Sequence, residues 1–143
     1  MFKTGEFETS SSLTSTAPVF RKTERESHHL APRKVAINSA SGMLLIELEN
    51  IIFLQSDGPY TTIYSEFTDK IVSSRNLKEF DDLLSPYGFF RIHRSYLVNL
   101  LQIVKYVKAD GGYVIMSNGE RVDVSTKKKE ELLEKLATQV LFL

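Results

Sequence analysis

Residues 89–100 read FFRIHRSYLVNL and set three basic side chains, Arg91, His93 and Arg94, between two apolar runs, with the hydroxyl of Ser95 directly after them. A guanidinium presents a planar fork of donors that matches a guanine edge or a phosphate, and a hydroxyl can serve either. A second basic set follows at residues 125–129, STKKK. Lys127 and Lys128 in that run suit phosphate oxygens as point charges, and Lys129 extends the run. If residues 89–93 form a strand, alternation sends Phe90 and Ile92 to one face and Arg91 and His93 to the other. The core residues then hold the strand while Arg94 and Ser95 emerge at its end. The chemistry is recognition of a polyanion by cations on a rigid element. On composition alone, a surface strand with ordinary solvated charges explains the same residues.

Other chemistries fit less well. His93 and Ser95 with Asp110 or Asp123 contain the residue types of a hydrolase triad, but neighbours on one strand and its turn rarely face each other, and no nucleophile elbow surrounds the serine. No glycine-rich phosphate loop occurs. His28 and His29 have no further ligand near them in sequence, and with no cysteine in the chain a disulfide or a cysteine-based zinc site is excluded. The expectation is a non-enzymatic protein with no catalytic residues, no metal and no cofactor.

The charge distribution supports the polyanion reading. The 143 residues carry 18 basic and 18 acidic side chains, a net charge of zero, which alone argues against nucleic acid. Residues 34–90, however, hold four basic and eight acidic side chains, whereas residues 91–129 hold eight basic and three acidic ones, a local net of +5. Polyanion binding follows the local potential, not the total. The amino terminus lacks a secretory signal and no window reaches the ~20 apolar residues of a membrane span, so a cytoplasmic protein with no membrane partner is expected.

The elements that must position these residues are short. Residues 1–33 are polar, with ten Ser or Thr among the first thirty, and are expected to be a disordered tail or linker. From Lys34 onward the pattern is strands: KVAIN, the long apolar stretch MLLIELENIIFLQS broken by a turn, then YTTIYS after the turn residues DGP, and KIVSS. The period then changes. NLKEFDDLLS places Leu77, Phe80, Leu83 and Leu84 on one helical face, with Asn76 and Glu79 at capping-box spacing and Pro86 at the end. FFRIH, IVKYVKA, YVIMS and RVDVS return to strand patterning around the turns DGG and NGE. Ser125 can cap a last helix whose buried side carries Leu132, Leu133, Leu136 and Val140. The fold class is mostly β: antiparallel sheets with two short helices, forming one domain over residues 34–143.

FFRIHRSYLVNLLQI closely resembles the signature of the LytTR family of bacterial DNA-binding domains. IIFLQSDGPYTTIYS, SSRNLKEFDDLL and RVDVSTKKKEELLEKL resemble the family's other elements in the right order, so the resemblance covers about residues 34–138. It implies sequence-specific binding of double-stranded DNA by a transcriptional regulator, with loops instead of a helix-turn-helix entering successive major grooves. The first loop is then residues 57–61, with Tyr60 and Thr61 as contacts. Arg94 and Ser95 form the second, with Arg91 beside them. Ser125, Thr126, Lys127 and Lys128 form the third. Pro59 stands where a polar residue is common, and Thr126 where many members carry a basic one, leaving Lys127 to substitute. His93 and Asn99 are expected to be structural, holding the loop between them by side-chain hydrogen bonds. The implied partners are DNA with tandem or repeated sites, a homodimer on that DNA, and a receiver or sensor of a two-component system, the chain being freestanding or the output part of a response regulator. A protein-interaction module that pairs with another regulator without binding DNA is the rival reading.

Overall fold

The computed structural model describes residues 32–143, so the tail or linker expected over residues 1–33 lies almost wholly outside the described residues. Lys34–Ser39 (β1) and Gly42–Glu47 (β2) pair as a hairpin, in register Val35 with Ile46 and Ile37 with Leu44. A 3-10 turn at Leu48–Asn50 leads into Ile51–Asp57 (β3), which pairs with Tyr60–Ser65 (β4). Only Gly58 and Pro59 separate them, and Gly58 takes φ 60°, a conformation glycine adopts without steric cost. Ile71–Ser73 (β5) follows, then the helix Leu77–Leu84 (α1), Phe89–His93 (β6) and Tyr96–Asn99 (β7). Ile103–Val107 (β8), Tyr113–Met116 (β9), Arg121–Asp123 (β10) and the helix Lys129–Ala137 (α2) complete the chain.

The expected mostly β fold is found: β5, β4, β3, β7 and β6 form one antiparallel sheet in that order, and β10, β9 and β8 a second. The larger sheet is buried on both faces. Against one face, α1 and the β1–β2 hairpin enclose Leu54, Ile63, Phe89 and Leu97 together with Leu77, Phe80 and Leu84. Against the other, the smaller sheet and α2 enclose Phe53, Phe90, Ile92 and Val98 together with Val114, Met116, Val122 and Leu132. β3 is the middle strand, so Ile51, Ile52, Phe53 and Leu54 all find a core, which is why its sequence is continuously apolar instead of alternating.

Helix α1 begins with the capping box its sequence announces. Asn76 Oδ1 accepts from the Glu79 amide at 2.9 Å, and Glu79 Oε2 accepts from the Asn76 amide at 3.2 Å. Two helical expectations are corrected. Leu83 is 53% exposed, because the sheet touches α1 only along the line of Leu77, Phe80 and Leu84. Helix α2 buries only Leu132 and leaves Leu133 40% exposed, and because the helix stops at Ala137, Val140 lies beyond it at 46%. Nor does Ser125 cap α2 with its side chain: Thr126–Lys128 is a 3-10 turn that separates them, and Lys128 takes the cap position.

Candidate nucleic-acid interface

Strands β3 and β7 run antiparallel, so the end of β3 meets the start of β7. This puts the β3–β4 turn beside the β6–β7 loop, and the Ser56 amide donates to the Ser95 carbonyl at 2.9 Å. The third segment reaches the same end by a different route. Its Ser125 amide donates to the carbonyl of Ile92 on β6, also at 2.9 Å. Two backbone bonds thus gather three segments that are far apart in sequence, each one anchored to a strand of the main sheet or its loop.

The second and third segments face each other across a cleft of about 660 Å³, whose walls include Arg91, His93, Arg94, Ser125, Thr126, Lys127 and Lys128. No residue of the first turn lines it; that turn lies alongside the β6–β7 loop, outside the cleft. Arg94 is exposed and its guanidinium has no partner among the described residues. Thr126 and Lys127 are likewise exposed and unpaired, and the Ser125 hydroxyl makes no cap bond. Lys128 is more engaged, with Nζ 3.4 Å from Glu131 Oε1 and 5.5 Å from the centre of the Phe90 ring. An ion pair of that length between exposed groups contributes little, so Lys128 can exchange Glu131 for a phosphate, but Lys127 is the readier cation.

The supporting residues divide differently from expectation. His93 Nδ1 accepts from the Ser95 amide at 3.1 Å, which folds the loop back on its own strand. Asn99 holds a loop at the other end of β7. Its Nδ2 donates to the carbonyls of Ile51 at 2.9 Å and Leu48 at 3.3 Å, while its Oδ1 accepts from the Leu101 amide at 3.1 Å. The two side chains therefore do not share the loop between them. Tyr96 packs 5.8 Å from His93, centre to centre, and its hydroxyl accepts from Gln55 Nε2 at 3.2 Å.

Thr61, expected at the DNA, is 0% exposed, and its Oγ1 donates to the Arg75 carbonyl at 2.8 Å. The reason is that both faces of the main sheet are covered: Tyr60 at the turn remains exposed, but Thr61, Thr62 and Ile63 are all buried. Arg91 is turned back toward the protein. Its Nε donates to the His93 carbonyl at 3.2 Å, Nη2 donates to the Arg94 carbonyl, and Nη1 lies 3.8 Å from Asp81 Oδ2.

Several cleft residues escaped the sequence reading. The β8–β9 turn contributes Asp110, Gly111 and Gly112, all at positive φ, and β10 contributes Arg121 and Asp123. Gly112 takes φ 96°, which L side chains rarely adopt, and a Cβ there would also lie 3.1 Å from Lys129 Cε, the movable end of a lysine side chain. Arg121 stacks 3.8 Å over the Tyr113 ring and pairs with Asp123 at 3.1 Å. The DGG turn was legible as a turn, but its place in the site depends on the Val124 amide donating to the Gly112 carbonyl at 3.1 Å, a pairing without a local signal. The wall thus carries five cations, Arg91, Arg94, Arg121, Lys127 and Lys128, against the carboxylates of Asp110 and Asp123. The surplus is positive, as a polyanion site requires.

A mostly β domain with a cationic cleft built from strand-end loops is the architecture of a DNA-binding module that uses no recognition helix. The family model described as the LytTr DNA-binding domain matches residues 41–137, and the chain belongs to this family. Among curated proteins it is 33% identical over 112 residues to the heme-containing CO-sensing transcriptional regulator RcoM 2 of Paraburkholderia xenovorans, covering 74% of this chain and 42% of that one. It is 28% identical over 123 residues to the CO-responsive transcriptional regulator RcoM of Rhodospirillum rubrum, covering 81% of this chain and 52% of that one. A shorter match, 36% identical over 67 residues, is to the sensory transduction protein LytT of Oceanobacillus iheyensis and covers 47% and 27% of the two chains. The chain therefore spans about half or less of these relatives' length. A solved LytTr DNA-binding domain from Bacillus cereus superposes with a TM-score of 0.64 at 25% identity, covering 74% of this chain and 98% of that one. The family model and the superposed domain are both described as DNA-binding, and DNA binding is the function these similarities support for the domain. Among the described residues, no helix is long and apolar enough to cross a membrane.

Proposed function

We propose that the domain reads double-stranded DNA sequence-specifically through the three segments at one end of its main sheet, placed in successive major grooves. Arg94 is the base reader, with Ser95 beside it. Ser125, Thr126 and Lys127 approach the backbone from the third segment, with Lys128 in support. Tyr60 and the turn before it contact the DNA from the first. The observation that carries this reading is the pair of unpartnered cations, Arg94 and Lys127, on opposite sides of one cleft whose walls are tied together by the Ser125–Ile92 bond. A bidentate Arg–guanine contact discriminates by about 1–3 kcal/mol per base pair, and each lysine adds a sequence-independent, salt-sensitive increment.

In this reading the chain is a non-enzymatic, cytoplasmic output module. It pairs as a homodimer on tandem or repeated sites, and a sensor or receiver domain governs it, with residues 1–33 as the linker. The sensory relatives RcoM and LytT, both longer than this chain, support such an input. The test is selection of bound duplexes from random DNA with the purified chain, at fixed salt, followed by titration of the selected site against a shuffled one. Equal affinity for both at physiological salt overturns the reading.

A further inference from the structure

The geometry points to Arg91 as the residue that positions Arg94, and not as a contact to DNA; this rests on Arg94 being the base reader. The carbonyls of His93 and Arg94 lie where the chain reverses at the DNA-facing end. Oxygen atoms aimed outward there would repel a phosphate backbone. Arg91 removes that problem by taking both carbonyls on one guanidinium, through Nε to His93 at 3.2 Å and through Nη2 to Arg94. Its remaining Nη1 faces Asp81 Oδ2 at 3.8 Å, and the Asp81 carboxylate is itself fixed by Ser85, whose Oγ donates to Oδ1 at 2.6 Å. The two charged side chains are 24% and 25% exposed, so solvent reaches them only in part.

Two further bonds finish the frame: the Ser95 amide to His93 Nδ1, and the Ser56 amide to the Ser95 carbonyl. The backbone of residues 93–95 is thus held at three carbonyls and one amide, and the Arg94 side chain is what remains free. A loop ordered before binding loses less entropy on the DNA and holds the guanidinium at a base edge in one orientation. Lysine cannot replace Arg91 here, because the arrangement uses three separate nitrogens of a planar fork.

The experiment titrates a selected duplex and a shuffled duplex of equal length at several salt concentrations, with thermal melts, for Arg91→Ala, Arg91→Lys, Asp81→Asn and Arg94→Ala. Arg91→Ala and Arg91→Lys should both lower discrimination between the duplexes, by about tenfold, with the salt slope unchanged. Asp81→Asn should move in the same direction by a smaller factor. If Arg91→Ala instead lowers the slope by about 0.9 and Arg91→Lys restores affinity, Arg91 neutralises a phosphate and the inference falls. If Arg91→Ala does not fold, parent-like discrimination in both Arg91→Lys and Asp81→Asn overturns it. If Arg94→Ala discriminates as the parent does, the underlying reading of the loop fails, a result separable from the others.

Discussion

The amide of Ser125 lies 2.9 Å from the carbonyl of Ile92, so the start of the lysine-bearing segment is a backbone neighbour of the strand that carries Arg91 and His93 and leads into Arg94. The bond ties the segment bearing Lys127 to the strand that ends at the Arg94 loop. In the proposed reading, the base contact of Arg94 and the phosphate contact of Lys127 would then keep a fixed spacing.

Substitutions at these two residues should separate the roles. Arg94→Ala should weaken binding to the selected site by about 1–3 kcal/mol and relax the choice of base at one position. Lys127→Ala should weaken all duplexes alike and lower the salt slope by about 0.9. Titration at several salt concentrations measures both. A sequence-independent loss on Arg94→Ala would move it to the phosphate group.

His93→Ala should act on the fold first. It leaves the Ser95 amide without its acceptor, at a cost of about 1 kcal/mol, since that amide is only part-buried. Denaturant titration measures the loss, and DNA titration should show weaker discrimination following from a looser loop. Full stability with lost binding would place His93 among the DNA contacts.

Asn99 makes the sharper stability prediction, because it is 3% exposed and its amide satisfies three backbone groups. Asn99→Ala should cost about 2–3 kcal/mol by leaving the Ile51 carbonyl and Leu101 amide unpaired. Asn99→Asp should cost more, since a carboxylate would face the Ile51 and Leu48 carbonyls. Salt slopes should not change in any refolded variant, as Asn99 sits at the end of β7 away from the cleft.

Acid should loosen α1. The side-chain bond from Arg75, then the bond from the Asn76 amide, hold the Glu79 carboxyl below its ordinary range. Its folded value lies below its unfolded one, so its stabilising effect is present above the ordinary carboxylate range and fades as pH falls through the lowered value. Unfolding measured from neutral pH down through that range should show a steeper loss for the parent than for Glu79→Gln. Equal slopes would mean the capping box makes no pH-dependent contribution.

Local chemistry determined most of the elements. Alternation announced FFRIH and RVDVS as strands, Gly58 and Pro59 a tight turn, and Asn76 with Glu79 the start of a helix, because each signal is complete within a few residues. The FFRIHRSYLVNL stretch also made the family and the candidate reader Arg94 legible. What tertiary structure decided were matters of pairing. The meeting of Ser56 with Ser95 and of Ser125 with Ile92 depends on which strands become neighbours, and strand order follows from burying both faces of the main sheet at once. The same non-local packing puts Thr61 inside, leaves Leu83 outside, brings Asn99 to the carbonyls of Leu48 and Ile51 and turns Arg91 inward. A side chain's type states what it can bond; only the assembled sheet decides which partners come within 3 Å of it.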